Sequence, residues 1–435
     1  MNLSLFHTGN TILDLTMTIL FAILLTYPIL GGLAWFFGAF CYNYLFKYRQ
    51  KTWIDIPKEI EPFITIMVPV HNEEVVIEDT IEYLMNNINY TNYEVLVTDD
   101  GSTDTSPEIL TRLMKKYSSL RVIRIEKNKG KAHAFNIGTS FAKGELILSN
   151  DADTVPEPDA LWKYINYFIR EDGRNIAAVT SNMDVQNRST LVGKSQTVEF
   201  SSIVGIIKRT QSSVFGVIYA YSGANTMYRK SALMDVGMFR QDRATEDISI
   251  AWDHQMNGWL SVFAADIIFF MEVPETLNML YKQRKRWAKG GTEVWLTNFK
   301  KVLSHPFQNL GRTSLFIDQT LSILWTFFFW ISSIIFLTRF IYLLYVWDIA
   351  QIWLMLAVAF VFVCFEMIAG ALQLFTALLI DDRGKKMKYF MFAPLYLLFY
   401  WIMNAVTILI TFIPAVKTIL GFGSGVWVSP ERRKK

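Results

Sequence analysis

The sequence predicts an α/β domain built on a parallel, doubly wound sheet and held between apolar segments that cross a membrane. Three observations predict it. Hydrophobic residues make up 52% of the 435 and crowd into the two ends of the chain. Between Phe63 and Ser149, short β-branched runs alternate with helical patterns, as strands joined by crossover helices do. The most polar motifs follow directly on those runs, at the strand ends where such sheets bind ligands.

Residues 16–46 are nearly all apolar, enough to cross a bilayer with tilt or with a kink at Pro28 or Gly31-Gly32. No Lys or Arg precedes Lys47, and the stretch lacks the basic flank and short apolar core of a cleavable signal, so it reads as a retained anchor. Lys47, Arg49 and Lys51 then place the N-terminus outside and the next domain in the cytoplasm. Composition is globular over 53–299. The run Phe63-Ile64-Thr65-Ile66-Met67-Val68-Pro69-Val70 is a buried strand, and a helix is expected to open near Glu73-Glu74. Strands at 94–98, 121–125 and 145–149 follow, with helices at 106–117 and after Lys131. Beyond Phe299, spans are expected at 315–337, 352–380 and 391–419. The absence of Lys and Arg between Arg339 and Arg383 suits an outside loop near Asp348, while Asp381-Asp382-Arg383-Gly384-Lys385-Lys386 suits the cytoplasm. A single last crossing would carry Arg432-Arg433-Lys434-Lys435 outside, against the same rule. The last segment, broken by Pro394 and Pro414, is therefore read as partly interfacial or re-entrant, with a cytoplasmic C-terminus. The expected domains are an anchor at 1–46, a cytoplasmic catalytic unit at 47–300 with an interfacial helix near its end, and a membrane region at 301–435.

Composition also excludes. A net charge of +3 is too small to argue for nucleic acid as a partner. The only cysteines, Cys41 and Cys364, both lie in apolar stretches, which rules out a disulfide framework and zinc-type spacing.

Several polar motifs could carry chemistry. Ser149-Asn150-Asp151-Ala152-Asp153 ends an apolar strand, and two carboxylates so spaced can share a hard divalent cation; a polar turn closing a strand would look the same. Asp99-Asp100-Gly101-Ser102 ends another, where a carboxylate could accept from a base N–H or could simply build an Asx turn. Lys131, at a helix start, could meet phosphate or belong to a solvated charge run. Asp247 in Thr245-Glu246-Asp247 could be a general base or a residue favoured by the first turn of a helix, and spacing does not choose. Gln283-Arg284-Lys285-Arg286-Trp287 could be an amphipathic membrane-surface helix. Equally, it could set Arg286 to stabilise a diphosphate and Trp287 to face a sugar ring.

The order of these motifs is more specific than any one of them. Pro-x-x-Asn-Glu, Asp-Gly-Ser, Asp-x-Asp, Thr-Glu-Asp and Gln-x-x-Arg-Trp between membrane spans resembles the processive membrane synthases of glycosyltransferase family 2, which make cellulose, chitin, hyaluronan and poly-N-acetylglucosamine. Stretches such as 188–194, 199–211, Pro274-Glu275-Thr276-Leu277 and Trp427-Val428-Ser429-Pro430 are similar to the bacterial poly-β-1,6-N-acetylglucosamine branch. The resemblance implies a GT-A nucleotide-diphospho-sugar transferase fold inserted between transmembrane helices. It also implies inverting, processive transfer of N-acetylglucosamine from UDP-GlcNAc into an exopolysaccharide that crosses the bacterial inner membrane. By the same resemblance, Glu73, Asp99 and Asp100 hold the uridine and Lys131 stands near the donor. Asp151 and Asp153 take donor and metal (Mg2+ or Mn2+), Asp153 being the more direct ligand. Asp247 is the base, and Gln283, Arg286 and Trp287 serve the diphosphate and acceptor. Ser222-Gly223 line the acceptor pocket. The implied partners are the UDP-sugar, the growing polysaccharide, the lipid bilayer and a small membrane accessory subunit.

The chain departs from that branch at Ser181-Asn182-Met183-Asp184, where Gly-Asn-Pro-Arg is usual, at Arg243-Ala244, and at Tyr221 before Ser222-Gly223. The resemblance therefore carries the reaction type further than the sugar or linkage. Thr-Glu-Asp in place of Gly-Asp-Asp argues against hyaluronan. A reading from another class, a transporter or receptor with a degenerate nucleotide-binding domain, rests on Glu366 in an apolar span. A transporter would have no use for the metal motif, base and Arg-Trp cluster together.

Overall fold

A computed structural model describes residues 10–46, 61–170 and 173–422. The basic cluster at Lys47, Arg49 and Lys51, the Trp427-Val428-Ser429-Pro430 stretch and the basic tail at 432–435 lie outside the described residues.

Eight strands form one sheet: β1 (Ile64–Val70), β2 (Tyr93–Asp100), β3 (Leu120–Ile125), β4 (Leu146–Asn150), β5 (Thr154–Pro156), β6 (Ile176–Val185), β7 (Asn225–Arg229) and β8 (Leu260–Met271). Their order is β3-β2-β1-β4-β7-β6-β8-β5. The expected parallel sheet holds for β3-β2-β1-β4 and again for the β6–β8 pair, but is broken at β7 and β5. β7 is antiparallel to both β4 and β6, and β5 is antiparallel to β8. The cause is where the chain enters β7. It arrives through Ser222-Gly223-Ala224 with Asn225 opposite Asn150, at the carboxyl end of β4, so it can only run back.

Strand side chains alternate between two cores. Ile64, Ile66, Val68 and Val70 of β1 face one, with α2 (Ile77–Asn86), α3 (Ser106–Lys116) and α5 (Ala160–Phe168) packed against it. Met67 faces the other, with α4 (Lys131–Phe141). In α2 the inward residues Ile77, Ile81 and Leu84 keep the helical period. This helix opens at Ile77, later than the expected Glu73-Glu74. Ahead of it, side chains of the next loop hold the chain in place: Ser106 Oγ accepts from Glu73 N–H at 3.0 Å and Asp104 Oδ2 from Glu74 N–H at 3.0 Å.

After β6 a long helical segment comprises α6 (Leu191–Phe200), a π stretch, α7 (Lys208–Thr210) and a second π stretch ending at Gly216. Next come α8 (Lys230–Asp235), α9 (Glu246–Met256) and α10 (Leu277–Ser304), the last capped by Thr276. The apolar ends form α1 (Thr11–Cys41), α11 (Leu310–Tyr345), α12 (Ile349–Ile380), α13 (Ala393–Leu395) and α14 (Trp401–Lys417). Among the described residues four helical segments are long and apolar enough to cross a membrane: Thr11–Tyr44, Leu310–Tyr345, Ile349–Ile380 and Met387–Phe422. The fourth is interrupted by π and 3-10 turns around Pro394, yet its length suffices for a full crossing. Trp325 Nε1 donates to the Leu24 carbonyl at 3.0 Å and Trp330 Nε1 to Ala405 at 3.1 Å, tying α11 to α1 and α14. Glu366, half-buried, lies within α12.

A buried ionic knot joins this bundle to the sheet. Asp381, directly after α12, accepts from Asn182 Nδ2 (3.0 Å), Ser201 Oγ (2.9 Å), Arg209 Nη2 (3.2 Å) and Lys386 Nζ (2.9 Å). Lys386 also reaches Asp184 at 2.8 Å. Burial disfavours the Asp381 charge, but Lys386 and Arg209 outweigh it and hold its carboxyl below the usual range. Asp381→Ala strands the buried Arg209 and leaves Lys386 with Asp184 alone, and the expected cost is about 3 kcal/mol of stability. A lowered melting temperature of the detergent-solubilised protein checks this.

Candidate active site

The polar motifs converge at the carboxyl ends of β1, β2 and β4. At the end of β2, Asp99 and Asp100 are both buried. Asp100 accepts the amides of Lys129 (3.1 Å) and Gly130 (2.8 Å), so it shapes the loop leading into α4. Gly130 sits at φ +101°, a conformation that L side chains rarely adopt. Asp99 Oδ1 accepts the Ser102 amide at 2.9 Å, and Arg124 Nε stands 4.0 Å from its Oδ2. Glu73 lies buried in the β1–α2 loop, whose Asn72 amide is held by Ser102 Oγ at 2.9 Å. Glu73, Asp99 and Asp100 thus belong to one interlocked set of loops.

A second group gathers where β4 meets β7. Lys131, the first residue of α4, lies 2.6 Å from Asp151 Oδ1 and 3.3 Å from Glu246 Oε1. Asp247, in the first turn of α9, accepts the Gly223 amide on Oδ2 at 3.1 Å. Ser149 donates to the Gly223 carbonyl from β4. A Cβ placed on Gly223 would stand 3.1 Å from Lys131 Nζ, 3.2 Å from Glu246 Oε1 and 3.4 Å from Asp247 Oδ2. Three charged groups from two helices, α4 and α9, therefore close around one glycine. Ser222 beside it gives its amide to Thr180 and Thr226 hydroxyls, and its Oγ meets Met183 Sδ at 2.9 Å.

The electrostatics of this group are uneven. Burial foremost, then Glu246, pushes the Asp247 carboxyl up to about 6, while Lys131, Arg286 and Lys208 pull it down. Burial lowers Lys208 to about 8 against the pull of Asp247. For Lys131, burial opposes the charge, but Asp151 and Glu246 outweigh it and keep the ammonium above the ordinary lysine range. Gln283, Arg286 and Trp287 share a face of α10. Trp287 packs against the core that contains Met183, Tyr221 and Ala224, and Gln283 Oε1 is buried with no hydrogen-bond partner.

Sequence reasoning missed Glu246 and Lys208. Glu246 carried a signal, since it stands inside the Thr-Glu-Asp motif. Lys208 carried only its place next to the apolar run Ile203-Val204-Gly205-Ile206-Ile207.

The donor set can be tested for a metal. Asp151 is about a third exposed, at 33%, and Asp153 meets Thr154 Oγ1 at 3.1 Å. Among the described residues no group of three His, Cys, Asp or Glu side chains is assembled to hold an ion. Two carboxylates on one strand exit do not make a closed cage. They fit a hard cation that keeps waters and takes phosphate oxygens for the rest of its shell.

Comparison with known proteins gives this arrangement its class. Residues 65–237 match the family model "Glycosyl transferase family 2". The chain is 32% identical over 423 residues to the poly-beta-1,6-N-acetyl-D-glucosamine synthase of Staphylococcus epidermidis, covering 95% of this chain and 98% of that protein. It is 31% identical over 416 residues to the synthase of the same name from Staphylococcus aureus (strain COL), with 95% and 98% covered. Its fold matches a mannosyltransferase from Pyrobaculum calidifontis in complex with GDP-Man and Mn2+, with a TM-score of 0.59 at 18% identity, over 88% of this chain and 99% of that one. The protein is a nucleotide-sugar glycosyltransferase of GT-A type. It belongs to glycosyl transferase family 2.

Proposed function

We propose that the protein polymerises N-acetylglucosamine from UDP-GlcNAc into a β-1,6-linked exopolysaccharide, with inversion and without releasing the chain between additions. The observation that carries this is Asp247, a half-buried carboxylate among three cations, with its ionisation raised toward neutrality and its position fixed by the Gly223 and Ile248 amides. A base poised near the working pH suits removal of a proton from a sugar hydroxyl. Support for the sugar comes from the two staphylococcal synthases, whose names carry that polymer and which match along nearly the whole chain.

Asp247 takes the proton of the acceptor's 6-hydroxyl, whose oxygen attacks the anomeric carbon of the donor sugar from the face opposite UDP. The bond to UDP breaks and the configuration inverts. Arg286 and Lys131 face the charge that grows on the departing diphosphate. Glu73, Asp99 and Asp100 receive the uridine, with Gln283 beside the diphosphate. Ser222, Gly223 and Trp287 seat the acceptor. Asp151 and Asp153 would hold Mg2+ or Mn2+, which when bound supplies Lewis-acid neutralisation of the diphosphate. The unit at 47–300 works on the cytoplasmic side of a bacterial inner membrane, the apolar helices carry the product through the bilayer, and a small accessory membrane subunit supports them.

The test is incubation of membranes with single UDP-sugars and metal, followed by digestion with linkage-specific glycosidases. UDP-GlcNAc should give a polymer cut by a β-1,6-specific enzyme, and chelation should stop its formation. A polymer made from another sugar, or one resistant to that enzyme, overturns the assignment.

The Asp247 environment also fixes a pH dependence. Because its pKa is raised rather than depressed, the carboxyl is protonated and idle below about 6. Transfer should climb as pH rises through that value, where an ordinary Asp would leave the rate flat above pH ~5. Lys208→Met removes one of the cations pulling this pKa down, so the acid limb should move to higher pH. A pH–rate profile of both proteins checks it.

A further inference from the structure

Arg284 stands inside the Gln-x-x-Arg-Trp motif at a position to which the sequence assigns no role. It lies on α10 with its side chain only 10% exposed, and its Nη2 donates to Glu199 Oε2 at 2.6 Å; Glu199 is itself buried on α6. The guanidinium carbon lies 4.0 Å from the centroid of the Trp287 ring and 5.8 Å from that of Tyr400. Tyr400 Oη is 3.2 Å from Ser195 Oγ, one turn before Glu199 on α6. Arg284 Nε and Nη1 are buried without partners.

A planar cation over an indole is attracted by the ring's quadrupole and covers one of its two faces. Only the opposite face of Trp287 is then left for another flat partner. A buried ion pair with two orphaned donors is a poor way to stabilise a helix contact, because desolvation offsets most of the attraction. Its worth here is geometric, since Glu199 holds the guanidinium and the guanidinium holds the indole.

We propose that Arg284, clamped by Glu199, is a positioning residue that fixes the Trp287 indole as the platform for the acceptor sugar. This rests on the reading of Trp287 as an acceptor contact. Glu199 adds a second consequence: α6 and the start of α14, through Ser195 and Tyr400, share in setting the platform.

The test measures separate KM values for UDP-GlcNAc and for an N-acetylglucosamine oligosaccharide on the full-length, detergent-solubilised protein, together with UDP-GlcNAc hydrolysis in the absence of acceptor. Arg284→Gln should raise the acceptor KM about tenfold. Donor KM and acceptor-free hydrolysis should stay at the parent values. Arg284→Lys, which keeps charge but loses the flat stack, should recover only part of the loss. Because Arg284→Gln leaves a buried carboxylate alone, Glu199→Gln with Arg284→Gln serves as the neutral, foldable pair; it should show the same acceptor defect with hydrolysis intact. Trp287→Ala separates the two layers of the reading. If Trp287→Ala raises acceptor KM and the neutral pair does not, the positioning role is overturned while the acceptor site stands. If Trp287→Ala leaves acceptor KM unchanged, the acceptor role of Trp287 falls and the Arg284 role falls with it. Donor KM rising in step with acceptor KM in the neutral pair also overturns the proposal.

Discussion

Asp247→Asn is expected to cut polymer synthesis by about 10²–10⁴-fold while leaving UDP-GlcNAc binding largely intact. The amide keeps an oxygen to accept the Gly223 N–H, so the loop at 3.1 Å keeps its anchor. What is lost is basicity, together with the acceptor for the Ile248 N–H at 2.9 Å. With no group to take the hydroxyl proton, the attacking oxygen is expected to remain a weak nucleophile, whereas the proposed contacts of Arg286 and Lys131 with the diphosphate are untouched by the change. Radiolabelled incorporation measured beside donor binding on folded, membrane-inserted protein checks it. Elongation by the variant at the parent rate would remove Asp247 from the mechanism.

Gly223→Ala is expected to lower transfer by about tenfold with little loss of fold, through displacement of the surrounding charged groups by a few tenths of an ångström rather than loss of any reactive group. The new methyl would enter a space where Lys131 Nζ, Glu246 Oε1 and Asp247 Oδ2 already stand within 3.1 to 3.4 Å. Lysine and glutamate ends can retreat, but doing so breaks the contacts of 2.6 Å to Asp151 and 3.3 Å between Lys131 and Glu246. The base, the cation and the acidic strand exit would shift together. The measurement is kcat for transfer alongside thermal unfolding. An unchanged kcat would mean that the cluster tolerates displacement.

Much of this site was legible in the sequence because its parts sit at strand exits. An apolar run followed by Asp-Asp or Asp-x-Asp marks both the end of a strand and the polar group beyond it, so β1 to β4 were readable within a few residues. Over residues 150–299 the helices at Glu246 and around 283–287 were readable but the strands were not. There β6 and β8 pair across a stretch holding several helices, and nothing in local periodicity announces that Ile176 will lie beside Leu260. The reversal at β7 was hidden for the same reason. Glu246 and Lys208 gain their meaning from groups far away along the chain, such as Lys131, 115 positions before Glu246. The expected span at 315–337 fell short of α11, which runs from Leu310 to Tyr345 because it includes polar residues that find partners. Arg312, for instance, donates to the Gln255 carbonyl at 3.2 Å, which seats one end of α11 on the catalytic unit.

The knot at Asp381 bears on how a growing polymer can advance. It bolts β6, the helical arm at Ser201 and Arg209, and the hinge between the last two apolar helices into one rigid piece. Any rocking of the sheet against the apolar helices between additions would have to pull buried charges out of their pairs, a cost that favours a frame at rest while the sugar chain moves.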